Sequence, residues 1–241
     1  MAGYSIKTDN LEKNFGPVKA LKGVSFDFQE GLIHGLIGSD GAGKTTTLRL
    51  LAGLLRPAAG SLTYVKDGRP SSFAEFRPGL AYMPQQASLY PDLSIAEHLE
   101  FFRDLYRLDA ATFKKRSAEL LEITRLGKFS GRRAGQLSGG MYKKLGLMCA
   151  LLQSPSALLL DEPTNGVDPI SRREFWELLY AQSGSGMLII VSTAYMDEAE
   201  RCARVNLLDS GRLLAAGEPR AVLRDCEASS FEEIFIRGGA K

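Results

Sequence analysis

Residues 31–55 read "GLIHGLIGSDGAGKTTTLRLLAGLL". A continuous apolar run enters a glycine-rich loop and leaves it as a helix-forming stretch. An apolar run without alternation is a strand buried on both faces, which requires helices on both sides of a parallel sheet. The loop Gly38-Ser39-Asp40-Gly41-Ala42-Gly43-Lys44-Thr45 fits G-x-x-x-x-G-K-[ST] between that strand and that helix. A phosphate chain needs backbone N–H groups converging on it, and glycines permit the close approach. The positive end of the following helix adds to the attraction. Lys44 is placed for the β- and γ-phosphates, and the Thr45 hydroxyl for Mg²⁺.

The rest of the chain agrees with an α/β fold. Val24, Phe26 and Phe28 alternate with polar residues, as in a half-exposed strand. "SLTYV" and "GLAYM" read as two more strands. From Ser94 the pattern is helical, opened by the capping box Ser94-Ile95-Ala96-Glu97. "FKKRSAELLEITRLG" and "SGGMYKKLGLMCALL" are further amphipathic helices, and another opens at Asp168-Pro169. "ALLLD" and "MLIIVS" are bare apolar runs, the mark of central parallel strands. The expected architecture is a parallel-sheet α/β core with an antiparallel N-terminal β subdomain and a helical insertion. As one domain of 241 residues, the core would take about 1–85 and 137–215, the insertion about 86–136, and a tail about 216–241.

Composition narrows the partners. A net charge of +2 is too small for a nucleic-acid groove or a polybasic membrane arm. Three widely spaced cysteines (Cys149, Cys202, Cys226) form neither a disulfide framework nor a metal cluster and fit a reducing compartment. No signal peptide is visible at MAGYSIKTDN, and no apolar run approaches the roughly 18 residues that span a bilayer. The chain alone is expected to be soluble.

Two further stretches carry chemistry. In "ALLLDEP" a carboxylate ends a buried strand, which is costly unless something cationic meets it. Asp161 would meet Mg²⁺ and Glu162 would polarise an attacking water. In "LSGGM", Leu137 to Met141, Ser138 caps a helix whose first N–H groups, with Gly139 and Gly140, form a second anion site. Glycines inside a first turn cost helix stability, so a bland helix start explains the serine but not the glycines. One nucleotide has little use for two cradles. Two chains facing head to tail do, each offering its second cradle to the other.

The order GSDGAGKTT, Gln85 in "YMPQQ", LSGGM, LLLDEP and NGVDP resembles the ATP-binding subunit of ABC transporters, over essentially the whole chain. The resemblance implies a P-loop ATPase that takes ATP and Mg²⁺, with nucleotide bound by residues 38–46, Thr46 included. Phe15 in "NFGPVKAL", by itself a core-type aromatic, stands where the family stacks a ring on adenine. Gln85, by itself a loop glutamine, matches the residue that senses Mg²⁺ and attacking water. Asp168 matches the loop that crosses the dimer interface and is also a helix N-cap. The implied catalytic set is Glu162, Gln85 and Lys44, with Thr45, Gln85 and Asp161 toward the metal. The implied partners are a transmembrane permease subunit and a second ATPase domain, as homodimer or heterodimer, at the cytoplasmic face of the plasma membrane.

The chain departs from the family at three places. Ser39-Asp40 stands where Pro-Asn is usual, and Met141-Tyr142 follows the signature glycines; both are expected to be tolerated. In "STAYMDEAERC" the family has a histidine at Ala194, where it holds the γ-phosphate and attacking water in register. The two histidines, His34 and His98, cannot replace it, and Tyr195 is expected to point elsewhere. Hydrolysis is therefore expected to be slow. A natural degeneracy and an engineered ATP trap both fit. The natural reading is preferred because the motif set, with the tail-like "SSFEEIFI", resembles the first ATPase half of tandem ABC-2 exporters. On that view a complete second ATPase domain lies on another chain or downstream. The alternatives are a non-hydrolysing, ATP-gated module and a soluble ABC ATPase.

Overall fold

The alternation at Val24, Phe26 and Phe28 turns all three side chains into the core, between two stacked sheets. The computed structural model describes residues 3–86 and 89–238. Residues 87–88 of the expected insertion and 239–241 of the expected tail lie outside the described residues, as do 1–2.

In chain order the first elements are β1 (Tyr4–Phe15), β2 (Val18–Phe28), β3 (Ile33–Ile37), α1 (Lys44–Leu51), β4 (Ala59–Lys66), β5 (Arg69–Ser71), α2 (Phe73–Phe76) and β6 (Leu80–Met83). The helical stretch follows with α3 (Ile95–Tyr106), α4 (Ala110–Ile123) and α5 (Gly139–Leu151). The chain then runs through β7 (Ala157–Asp161), α6 (Pro169–Ser183), β8 (Leu188–Thr193), β9 (Arg204–Asp209), β10 (Arg212–Gly217), α7 (Pro219–Asp225) and α8 (Phe231–Gly238). No helix among the described residues is long and apolar enough to cross a membrane.

The strands form two sheets. An antiparallel sheet has the order β2-β1-β4-β5, and the central sheet has the order β10-β9-β3-β8-β7-β6. All pairings in the central sheet are parallel except β9 with β10, so the expected parallel core carries one antiparallel edge. Alternate residues of the buried strands divide the core. Leu158, Leu160, Ile189 and Val191 pack toward Leu147, Leu151, Trp176 and Leu179 of the helices. Leu159, Leu188 and Ile190 pack instead toward Ile6, Phe28 and Leu48.

One local boundary differs from the sequence expectation, and one segment takes a form that the sequence pattern alone leaves open. The helix of "KTTTLRLLAGLL" stops at Leu51 because Gly53 turns into the left-handed region (φ +67°), letting the Leu54 N–H return to the Arg49 carbonyl. The acidic stretch after Thr193 forms only a 3₁₀ run, Met196–Arg201, because Glu198 is drawn into the interior by side-chain bonds rather than left on a helix surface. The Ser94 capping box is present in full.

His34, in β3, is buried edge-on against Phe28 with ring centroids 5.3 Å apart, and its Nε2 lies 2.9 Å from the Gln29 N–H. Burial pushes its pKa from 6.5 down to about 4. Between those values the unfolded chain takes up a proton that the folded chain refuses. This contribution to stability is whole above pH 6.5 and is lost as the pH falls toward 4. At full extent it is on the order of 3 kcal/mol. Urea midpoints measured at pH 7 and pH 4.5 should fall steeply for the wild type and clearly less for His34→Gln, which keeps an acceptor but cannot be protonated.

Candidate functional site

Parallel strands deliver their carboxyl ends to one edge of the sheet, and ligands of open α/β sheets bind there. Here β3, β8, β7 and β6 end side by side, with Ile37 opposite Thr193, Asp161 opposite Ser192 and Met83 opposite Leu160. The loop 38–43, Ala194, Glu162 and Gln85 follow these strands directly, so topology alone gathers them.

The loop from Gly38 runs to Gly43, the N-cap of α1, where no side chain caps the helix. Lys44 is buried beneath it. Its ammonium donates to the Gly38 carbonyl (2.8 Å) and the Ser39 carbonyl (3.0 Å), and pairs with Glu162 Oε1 at 3.0 Å. Phe15 lies half exposed at the end of β1, with the Lys13 ammonium 5.3 Å from its ring centre. Phe15, the residues from Asp40 to Thr46, Gln85 and Glu162 line one open pocket of about 650 Å³.

Glu162 is part of the pocket wall, whereas Asp161 does not line the pocket and lies buried behind Thr45. Asp161 Oδ1 accepts from the hydroxyls of Ser192 (2.7 Å) and Thr45 (3.1 Å), and Oδ2 from Tyr82 (3.3 Å). Glu162 adopts φ +45°, and its N–H bonds Ser192 of the neighbouring strand. Its Oε2 accepts from Gln85 Nε2 (2.8 Å) and Asn165 Nδ2 (3.2 Å). The Glu162 carboxylate is thus gripped by a lysine and two side-chain amides from three separate segments.

Ala194 is exposed on a smaller cavity of about 140 Å³, shared with Asp40, Glu162, Asn165, Thr193 and Tyr195. Tyr195, expected to point elsewhere, faces this cavity. Its hydroxyl reaches Asn165 Oδ1 at 3.4 Å, and the Arg172 guanidinium stacks 4.1 Å from its ring centre. That cation–π contact turns the ring toward Asn165.

Leu137–Met141 and Asp168 do not line the pocket of their own chain. Ser138 caps α5 by accepting from the Met141 N–H at 3.3 Å, and Asp168 Oδ1 caps α6 by accepting from Ile170 and Ser171. The Ser171 hydroxyl, with these N–H groups, holds the Asp168 carboxyl below its usual pKa. Gly140 has a packing role that motif reasoning overlooked: a Cβ there would meet Ser171 at 2.6 Å, so α5 and α6 approach only across a glycine. Gly139 is less confined, its nearest neighbour being the Gly166 carbonyl at 3.5 Å. Tyr82, Ser192 and Asn165 were also overlooked as partners of the carboxylates. The polar Ser192 at the end of an otherwise bare strand was the signal available.

Comparison with known proteins agrees with this arrangement. The profile of the family described as "ABC transporter" matches residues 21–165. The probable multidrug ABC transporter ATP-binding protein YbhF of Escherichia coli K12 is 46% identical over 94% of this chain, which spans only 39% of that protein's length. The Nod factor export ATP-binding protein I of Burkholderia orbicola is 38% identical over 94% of this chain and 75% of its own length. Among solved structures, an ATP-binding subunit of an ABC transporter superposes with a TM-score of 0.83 at 29% identity, covering 96% of this chain and 98% of its own. The cbiO1 protein of Clostridium perfringens, part of an ABC transporter complex, gives 0.82 at 26% identity over 93% and 92%. With motifs, fold and relatives in agreement, the chain belongs to the ATP-binding subunits, the ATPases, of ABC transporters.

Proposed function

We propose that this chain is the motor subunit of an ABC exporter, that it binds Mg-ATP in the pocket above Lys44, and that it hydrolyses ATP slowly because Ala194 replaces a histidine. One observation carries the reading: Glu162, the candidate base, is oriented by Lys44, Gln85 and Asn165 in the pocket that also holds Phe15, while Ala194 presents only a methyl group beside it. The exporter assignment rests on the printed functions of the similar proteins, multidrug transport and Nod factor export.

Each residue has a definite task in this reading. Phe15 offers a ring face for the adenine. The N–H groups of residues 38–46 and the end of α1 hold the phosphates, with Lys44 as their counter-charge. Phosphate oxygens entering the loop compete for the Lys44 ammonium, which Gly38, Ser39 and Glu162 hold in their place. Releasing Glu162 from Lys44 frees its Oε1 to take a proton from water, while Gln85 and Asn165 keep the carboxylate aimed. The hydroxyl of Thr45, Gln85 and the Asp161 carboxylate are hard oxygen donors that suit Mg²⁺. Held there with ATP, Mg²⁺ would supply positive charge to offset the negative charge of the phosphoryl oxygens. Among the described residues no three His, Cys, Asp or Glu side chains cluster as a metal cage.

The second cradle, Leu137 to Met141, and Asp168 would face a second ATPase domain, homologous or identical, in a head-to-tail dimer. The helical segment about residues 86–136 would carry closure to a transmembrane permease at the cytoplasmic membrane face, with the core at about 1–85 and 137–215 and the tail at about 216–241 as parts of one ATPase domain. A non-hydrolysing, ATP-gated module is the competing reading, and the methyl group at Ala194 favours it.

Two outcomes test the proposal. Removing the Lys44 charge by Lys44→Ala should weaken ATP binding, measured by calorimetry, on the order of 10²-fold or more. Equal binding would contradict the loop assignment. Losing one positioned donor to a transferring phosphoryl group costs about 2.7–4 kcal/mol, or roughly 10²- to 10³-fold in rate. Ala194→His should therefore raise steady-state ATP turnover at least about tenfold with little change in affinity, and Glu162→Gln placed on top should abolish the gain. No measurable turnover in the wild type and in Ala194→His alike would favour the ATP-gated module.

A further inference from the structure

Helix α5 touches more than one site. Its N-terminus carries Ser138, which in the reading above serves a partner's nucleotide. One turn later the same helix grips the loops of its own chain. The Tyr142 hydroxyl accepts the Leu89 N–H at 3.4 Å, and the Lys143 ammonium donates to the Gln85 carbonyl at 2.8 Å and reaches the Glu162 carbonyl at 3.4 Å. These two carbonyls follow β6 and β7, which are hydrogen-bonded neighbours in the sheet. The Gln85 side chain in turn donates to Glu162 Oε2 at 2.8 Å. Lysine, acceptor-free and bearing three donors, can bridge two main-chain carbonyls in a way that no neutral side chain of its length can.

The next residue fastens α5 in another direction. Lys144 pairs with Glu174 on α6, and Gly140 lets α6 approach at Ser171. A displacement of α5 is therefore shared by α6 on one side and by the Gln85 and Glu162 loops on the other.

We propose that Lys143 is a positioning residue that couples the two nucleotide sites of the dimer: it holds the backbone of Gln85 and Glu162 to the helix whose N-terminus engages the partner's ATP. The proposal rests on the head-to-tail reading under "Proposed function". Binding energy gained at Ser138 then reaches this chain's own base and its glutamine through one ammonium, without a change in the phosphate loop.

The test uses the wild type, Lys143→Met and Lys143→Arg, with Mg²⁺ and a slowly hydrolysed ATP analogue. Hydrogen exchange is followed in peptides containing Gln85 and in peptides from the start of α5. In the wild type and the arginine variant, both regions should gain protection together as the analogue is titrated. In Lys143→Met the start of α5 should still be protected while the Gln85 peptides lose most of theirs. Turnover of Mg-ATP should fall about tenfold in the methionine variant and recover to within about threefold in the arginine variant, with the analogue's dissociation constant unchanged within about twofold. Joint protection and wild-type turnover in Lys143→Met would overturn the proposal. A loss that arginine fails to restore would overturn it too, since shape rather than charge would then be at work. Failure of the wild type to bind the analogue is a different result: it rejects the ATP-binding reading itself, and the coupling with it. Binding without association of two chains rejects the head-to-tail arrangement on which the coupling depends.

Discussion

The buried carboxylate of Asp161 joins four parts of the chain. It ends β7 and accepts hydroxyl protons from Thr45 of α1, Ser192 of β8 and Tyr82 of β6. A lone carboxylate in that position would carry a desolvation penalty of several kcal/mol, and each hydroxyl offsets part of it. The consequence is geometric. Three hydroxyls fixed on one carboxylate hold three strand ends and the start of α1 in register, and the glycine-rich loop 38–43 hangs from that register. Thr45 and Asp161 also meet where a hard cation between phosphate and protein would find its oxygens.

Glu162 is the next residue, and the backbone there pays for the arrangement. Its φ of +45° lies in the left-handed region, which costs a residue other than glycine on the order of 1–3 kcal/mol. The turn is kept because the Glu162 N–H reaches Ser192 while its side chain swings to Lys44, Gln85 and Asn165. Ser192 thus serves two consecutive residues, donating its hydroxyl to the Asp161 carboxylate and accepting the backbone N–H of Glu162. Strain in the main chain and order in the side chain are two sides of one arrangement, and both depend on β7 and β8 being neighbours.

Residues near in sequence were easy to read. The loop 38–45, the Ser94 capping box and the bare strands at 157–161 and 188–193 are set by local pattern, and the structure contains each. What escaped depends on partners far along the chain. Gly140 is a glycine because Ser171 approaches it from another helix. Tyr195 faces Asn165 because Arg172 stacks on its ring. Lys143 looks like an ordinary solvent-facing residue on an amphipathic helix until the Gln85 loop is folded against it. Periodicity reports which face of a helix is apolar, but not which polar residue on its margin will meet a carbonyl. The 3₁₀ run after Thr193 belongs to the same class, since only the folded chain offers Glu198 its buried partners.

Those partners bear on what the methyl group at Ala194 means. Glu198, fully buried, accepts from Thr164 Oγ1 at 2.8 Å and Trp176 Nε1 at 3.1 Å, with the Arg172 guanidinium 3.7 Å away. Arg172 also reaches Asp197 at 3.3 Å and stacks on Tyr195. The segment after β8 is therefore bolted, just past Ala194, to α6 and to the turn after Glu162. An imidazole at position 194 would add a donor to the cavity without touching any of these bonds, because none passes through that side chain. A buried glutamate bonded through one oxygen to a tryptophan and a threonine, with an arginine nearby, holds this segment in place whatever side chain stands at position 194. The scaffold that would aim a side chain from position 194 into the cavity beside Glu162 stands complete without it.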